Sequence, residues 1–230
     1  REIIIAIHHM ANKIKSYFGN GQRWGVDITY SEEEIPLGTG GAIKKAERYI
    51  DNSFLVLNGD TYSNLNLHEF IDFHKSKRSK ASIAITKSSD GGNYGVISIN
   101  EGKIVDFMEK KGEGEALVNS GVYLFEPEIF SYIEPEKNVS LEREIFPKLL
   151  KEKLLWGYEH EGYFIDIGRP ETYFQFKQNF LDSITLKESD SVREAIKRIS
   201  KNGVDLILVS DEKKKLLGVF NDRLMKEYML

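Results

Sequence analysis

Apolar positions in the first half of the chain switch between two periods. Glu2–Ile7 is an almost unbroken β-branched run, and Met10–Phe18 sets Ile14 and Phe18 one helical turn apart before Gly19-Asn20-Gly21 closes the segment. Val26–Ser31 predicts a strand, Gly40–Ile50 a helix and Phe54–Leu57 a strand. Leu67–Lys77 predicts a helix with Leu67, Phe70, Ile71 and Phe73-His74 on or near one face, followed by the strand Ala81–Thr86. Strands alternating with helices of this length predict an α/β fold, with a mostly parallel sheet covered on both faces.

The middle of the chain follows another pattern. Gly95–Ile99 and Lys103–Met108 flank Asn100-Glu101-Gly102, a hairpin signal, and Leu117–Phe125 and Leu154–Glu159 predict further strands. Ser140 can cap a helix carrying Leu141, Ile145, Leu149 and Leu150, Tyr163–Ile167 predicts a short strand, and Pro170 opens a helix over Glu171–Leu181. A break follows at Asp182-Ser183. Beyond it the pattern is compact: strand Ile184–Leu186, helix Val192–Lys201, strand Leu206–Val209, turn Asp211–Lys215, strand Leu216–Phe220 and helix Asp222–Met229. Ser191-Val192-Arg193-Glu194 is a capping box. Two domains are expected, 1–181 and an appended small α+β module, 184–230.

Composition narrows the class without naming a chemistry. The 230 residues are 40% hydrophobic and 11% aromatic, enough for a substantial core. A net charge of −4 leaves no electrostatic footprint for nucleic acid or an anionic membrane. The absence of cysteine removes disulfides and thiolate metal sites and suits a cytoplasmic enzyme.

Chemistry is suggested first by the stretch "LGTGGAIKKAERYIDNSFLVLNGD", residues 37–60. Glycines ahead of a helix let backbone N–H groups approach a ligand, and an acidic residue just past a buried strand is where α/β enzymes place metal or substrate ligands. A plain helix-start turn and a strand-end cap are the structural alternatives. His8-His9 is read as a packing or capping pair rather than a metal site, because adjacent strand residues point to opposite faces.

The stretches "EIIIAIHHMANKIKSYFG", "EEEIPLGTGGAIKKAE", "FLVLNGD", "YGVISI", "GKIVDFMEKK", "LVNSGVYLF" and "GYFIDIGRPETY" resemble, in order, the sugar-1-phosphate nucleotidyltransferases, in particular their heptose- or mannose-1-phosphate guanylyltransferase-like branch. "SVREAIKRISKNGVDLILV" and "KLLGVF" resemble one CBS (cystathionine-β-synthase) repeat. The resemblance implies a Rossmann-like, doubly wound, GT-A-like fold and attack by a sugar-1-phosphate oxygen on the α-phosphorus of an NTP, GTP being favoured, with pyrophosphate leaving. It implies Mg²⁺ held by Asp60 and Asp166, with Lys110 the third catalytic residue. For Asp166 the alternative is a strand-end hydrogen bond to the Gly168 turn. Leu37, Gly38, Thr39, Gly40 and Gly41 correspond to the nucleotide-binding turn, with glycine required so that no Cβ holds the ligand away, and Asn58 and Gly59 adjoin it. Tyr94, Gly95, Glu109, Lys110, Asn119 and Ser120 fall to the sugar phosphate. Homo-oligomers are expected, formed through the CBS-like module, because such repeats work in pairs.

The family's Gly-rich loop with its arginine and following lysine has no counterpart, since residue 1 already resembles the start of the second strand of the sheet. The resemblance therefore implies a fragment or rearranged portion, with two apolar strand edges lacking a neighbour. A non-catalytic sugar-nucleotide-binding or regulatory module is the alternative reading.

Overall fold

The computed structural model describes residues 1–88, 95–109, 115–202 and 206–221. Tertiary contacts divide the chain into Arg1–Phe164 and Ile165–Leu230, ahead of the Asp182-Ser183 break.

The first unit runs β1 (Glu2–Ile7), α1 (Ala11–Phe18), β2 (Asp27–Glu32), α2 (Gly38–Ala46), β3 (Phe54–Leu57), β4 (Thr61–Ser63), α3 (Leu67–Lys77), β5 (Ala81–Ser88), β6 (Gly95–Asn100), β7 (Lys103–Glu109), β8 (Ala116–Phe125), α4 (Phe146–Lys151) and β9 (Leu155–Glu159). A π-helical turn, Leu141–Ile145, leads into α4, with Ser140 accepting from the Arg143 N–H as its cap. The expected elements are present, with boundaries moved by a few residues. Three short ones carried no periodic signal: β4, and 3₁₀ segments over Gln22–Trp24 and Pro127–Tyr132.

β3, β8, β5, β9, β7 and β6 form a six-stranded sheet in that order. β3, β5, β9 and β6 run one way, while β8 and β7 run against them. Four of the six strands share one direction, but the expected mostly parallel sheet is corrected for pairing: β8 between β3 and β5, and β7 between β9 and β6, leave β5–β9 as its one parallel neighbour pair among the described residues. β1 and β2 pair in parallel as a separate sheet. Among the described residues β1 pairs only with β2 and β3 only with β8, and Ile3 and Leu57 are exposed on these edge strands.

Strand alternation divides the core between the two faces of the sheet. On one, Ile83, Ile85, Tyr123 and Phe125 pack with Leu141, Ile145, Phe146 and Leu149 from the π-turn and α4. On the other, Ala84, Val122 and Leu124 pack under Phe70 of α3. α3 forms because Asn66 caps it, accepting from the His68 and Glu69 N–H groups, and because Phe70 and His74 fall one turn apart on its inner face.

β10 (Phe164–Asp166) spans the point where the two units divide. The second unit continues with α5 (Pro170–Ser183), β11 (Thr185–Lys187), α6 (Val192–Asn202), β12 (Leu206–Ser210) and β13 (Leu216–Asn221). β11 and β12 are parallel, β12 and β13 antiparallel. Half of the expected capping box is made: the Glu194 N–H donates to Ser191 Oγ at 3.2 Å, while the Glu194 carboxylate accepts from Arg198 Nε at 3.0 Å. The core here is small, Ile184, Leu186, Ala195 and Ile207. The helix expected over 222–229 lies outside the described residues.

Candidate active site

A defect in one strand builds a polar corner in the first unit. Ile83 faces Tyr123 across the β5–β8 ladder, but Ile85 faces Asn119, so β8 carries two residues more than β5 over this step. The extra residues form a bulge in Ser120-Gly121-Val122, next to the Asn119 rung, and a bulge bends the strand and re-aims its side chains. Gly121 takes φ +72°, and a Cβ there would stand 2.6 Å from Thr61 Oγ1 and 3.1 Å from Asn58 Cβ. Only glycine allows the bulge to press against the turn that follows β3. That contact is sealed by the Asn58 N–H donating to the Gly121 carbonyl at 2.8 Å.

The bulge brings four of the expected residues together: Asn58, Asp60, Asn119 and Ser120. Asn119 Oδ1 accepts from the Gly121 N–H at 2.9 Å, and its Nδ2 donates to the Tyr123 hydroxyl at 2.8 Å. Burial pushes the Tyr123 phenol above its ordinary value, the negative charges of Glu142 and Asp60 add to this, and hydrogen bonds from Asn119 and Asn58 oppose it. Tyr123 is therefore a neutral post among two amides and two carboxylates. Asp60 is exposed and makes no hydrogen bond or ion pair among the described residues, so the strand-end cap is not realised. A hard carboxylate in that condition suits a divalent cation completed by phosphate oxygens. No cluster of three or more His, Asp or Glu occurs among the described residues.

The β6–β7 hairpin reaches the same place. Val96 pairs with both Met108 and Val118, so the neighbouring Gly95–Glu109 pair lies one step from Asn119. Gly95 has open space where a Cβ would stand. Tyr94 and Lys110 lie outside the described residues.

The glycine-rich turn is organised differently. Gly38 has φ +69°, and a Cβ on it would stand 2.6 Å from the Val139 carbonyl oxygen. The Gly40 N–H donates to that carbonyl at 2.8 Å, and the Val139 N–H returns a bond to the Leu37 carbonyl, also at 2.8 Å. Thr39 Oγ1 accepts from the Leu141 N–H at 2.9 Å and donates to Glu142 Oε2 at 3.1 Å. The expectation that glycine is needed here to admit a ligand is corrected for Gly38: its missing Cβ admits the chain's own 137–139 segment. Glu142, reaching Thr39 and felt at Tyr123, ties the turn to the corner.

Asp166, in the second unit, ends β10 half-buried, and its Oδ1 accepts from the Gly168 N–H at 2.7 Å. The turn alternative is thus realised for one of its two oxygens. His8 and His9 are both exposed, which corrects the packing role; His8 instead bonds the Glu33 carbonyl at 2.8 Å. Tyr123, Glu142 and His160 carried no sequence signal as site residues. Tyr123 reads as one more inward strand position, and Glu142 as a charge in the first turn of a helix.

Comparison with known proteins agrees with this architecture. A family model described as nucleotidyl transferase matches residues 1–183, and a CBS domain model matches residues 181–229. A protein of Arabidopsis thaliana named probable mannose-1-phosphate guanylyltransferase 3 is 36% identical over 81% of this chain, and the match spans 59% of that relative's length. The D-glycero-alpha-D-manno-heptose 1-phosphate guanylyltransferase of Campylobacter jejuni is 35% identical, over 78% of this chain and 79% of its own. The crystal structure of HddC from Yersinia pseudotuberculosis superposes with a TM-score of 0.69 at 31% identity, over 78% of each chain. The same protein complexed with GMP-PN gives 0.67. Among the described residues no helix is long and apolar enough to cross a membrane.

Proposed function

The chain belongs to the nucleotidyl transferase family and carries a CBS domain behind it, and from this premise we propose that it transfers a nucleoside monophosphate from an NTP, GTP by preference, to a sugar 1-phosphate. The observation that carries the reading is the convergence at the β8 bulge of Asn58, Asn119, Ser120 and Asp60, which is uncommitted among the described residues. The guanylyltransferase names of the relatives and the GMP-PN complex of a similar structure support the choice of base and acceptor.

In this reading a phosphate oxygen of the sugar 1-phosphate forms a bond to the α-phosphorus while the bond to the β-phosphate oxygen breaks and pyrophosphate leaves. Asp60 and Asp166 would each offer a carboxylate to Mg²⁺, which when bound would offset the charge of the transferring phosphoryl group. Lys110 neutralises the sugar phosphate, Glu109 and the Asn119 amide take sugar hydroxyls, and Tyr94, Gly95 and Ser120 shape the space for the ring. Residues 37–41 with Asn58-Gly59 take the nucleotide.

The second unit pairs with another CBS repeat. Leu206 on β12, Leu216, Leu217 and Val219 on β13 and Val192 on α6 are exposed, more apolar surface than so small a core accounts for.

Pyrophosphate release from each NTP with mannose 1-phosphate and with heptose 1-phosphate tests the reaction. Release that requires Mg²⁺ and is fastest with GTP is expected. No release from any pair, with sugar-nucleotide binding retained, overturns it in favour of a binding module.

A further inference from the structure

His160 is buried just beyond the end of β9. Its backbone N–H donates to the Ile85 carbonyl at 2.9 Å, extending the β5–β9 ladder by one rung. Its Nε2 lies 3.4 Å from Ser120 Oγ, inside the bulge. Ser120 is itself fully buried, and its hydroxyl donates to the Ala84 carbonyl at 2.7 Å. A hydroxyl has one proton, so towards the ring Ser120 can only accept, and the imidazole must carry hydrogen on Nε2. Burial pushes His160 below its ordinary value, with the Glu161 backbone opposing.

The Ala84 carbonyl, Ser120, the His160 ring and the Ile85 carbonyl thus make a brace across β8, β5 and β9. The brace acts where it is needed. Extra residues in a bulge have no rung of the ladder to place them, so side-chain contacts decide where they sit. Ser120 stands between Asn119, whose amide meets Tyr123, and Gly121, whose carbonyl holds the turn leading to Asp60.

We propose that His160 is a positioning residue: by donating from Nε2 to Ser120 it fixes the β8 bulge and so the side of the site that receives the sugar phosphate. What the bulge binds rests on the nucleotidyl-transfer reading; how the bulge is held does not.

The test uses the full chain with His160→Leu, His160→Gln, Ser120→Ala and the double variant His160→Leu/Ser120→Ala. Leucine keeps bulk without the donor, and glutamine can place an amide N–H near the Nε2 position. Loss of one neutral hydrogen bond raises the KM for the sugar 1-phosphate roughly two- to tenfold in His160→Leu, leaves the KM for the NTP unchanged, and is largely reversed in His160→Gln. Ser120→Ala is expected to equal or exceed His160→Leu, because it also removes the bond to the Ala84 carbonyl, and the double variant to add nothing beyond Ser120→Ala. The backbone amide resonance of Gly121 gives a readout independent of turnover: it moves in His160→Leu and returns in His160→Gln. If the protein turns over no sugar phosphate, the functional reading fails while this resonance still decides the brace. Equal changes in both KM values, wild-type kinetics in His160→Leu, or an unmoved Gly121 resonance overturns the proposal.

Discussion

The corner at the β8 bulge and the turn at residues 37–41 both depend on a glycine with positive φ pressed against a neighbouring segment, yet they differ in what is left over. At the turn, the Gly40 N–H, the Thr39 hydroxyl and the Leu37 carbonyl are all bonded to residues 139–142. At the corner the same kind of close approach joins Gly121 to Asn58 and leaves Asp60 exposed, with no hydrogen bond or ion pair among the described residues. The turn spends these three polar groups on its own chain, whereas the corner keeps a carboxylate in reserve. A close glycine contact marks a tight junction; the uncommitted group beside it marks the chemistry.

The largest expected difference comes from Asp60→Ala. Losing a metal-holding carboxylate removes several kcal/mol of charge stabilisation, so turnover falls by more than about a hundredfold. The melting temperature stays nearly unchanged, because the carboxylate makes no hydrogen bond or ion pair among the described residues. Thr39→Val, by contrast, removes hydrogen bonds to Glu142 and Leu141 and lowers stability. Activity assays at limiting Mg²⁺ and thermal melts on both variants decide this. A near-normal rate for Asp60→Ala removes it from the metal site.

Lys110→Ala separates the two regions by substrate. A charge-assisted contact is worth about 1.5–3 kcal/mol, so the sugar-1-phosphate step weakens by roughly ten- to a hundredfold. The NTP step, assigned to the turn, keeps its constant. Initial-rate kinetics with each substrate varied in turn measure the split, and equal weakening of both steps would mean that Lys110 does not discriminate between them.

Gly121→Ala and Gly38→Ala test what the regions share. Each places a Cβ about 2.6 Å from an oxygen in a left-handed conformation, a strain of about 1–3 kcal/mol. Both variants should melt several degrees lower, by the usual scaling of roughly 2–4 °C per kcal/mol for a chain of this size. Only Gly121→Ala should also raise the KM for the sugar phosphate, because only there does the displaced segment carry Asn119. If Gly38→Ala raises that KM equally, the contrast between the regions collapses.

Much of this was legible in the residues, and the rest was hidden for a physical reason. β3 and α3 have the boundaries their periodicity predicts, because each is a simple apolar pattern with a clear stop at Asn58 or a clear cap at Asn66. The NSG stretch in β8 was visible as a polar interruption of an apolar strand. Its bulge was not, since register is a property of two strands and neither sequence states it alone. The mixed pairing of β8 escaped for the same reason. Tyr123 and His160 stayed hidden because an inward aromatic and a strand-end histidine acquire a role only from what lies across the ladder.

The smallest effect is a pH dependence, and it also sets two regions against each other. His160 braces the corner, while His74 lies buried beneath α3. His74 Nε2 is 3.0 Å from Glu126 Oε1, and its Nδ1 is 2.8 Å from Ser82 Oγ. A carboxylate only accepts, so Nε2 carries the hydrogen and Ser82 donates to Nδ1, an arrangement complete with the ring neutral. Burial holds His74 below its ordinary value, the Glu126 hydrogen bond and charge opposing, and burial likewise lowers His160. As pH falls through about 6.5, the unfolded chain takes up protons that the folded chain refuses. The stability these neutral rings contribute is therefore complete above about pH 6.5. It is lost as pH falls from there through the folded-state values, at no more than about 1.4 kcal/mol per pH unit for each ring. His74→Gln keeps polar partners for Ser82 and Glu126 without titrating, so urea melts between pH 6.5 and 5 should show a shallower loss, the remainder belonging to His160 and the carboxylates. An unchanged slope in His74→Gln would mean that the acid sensitivity lies with His160 or the carboxylates and not with the ring beneath α3.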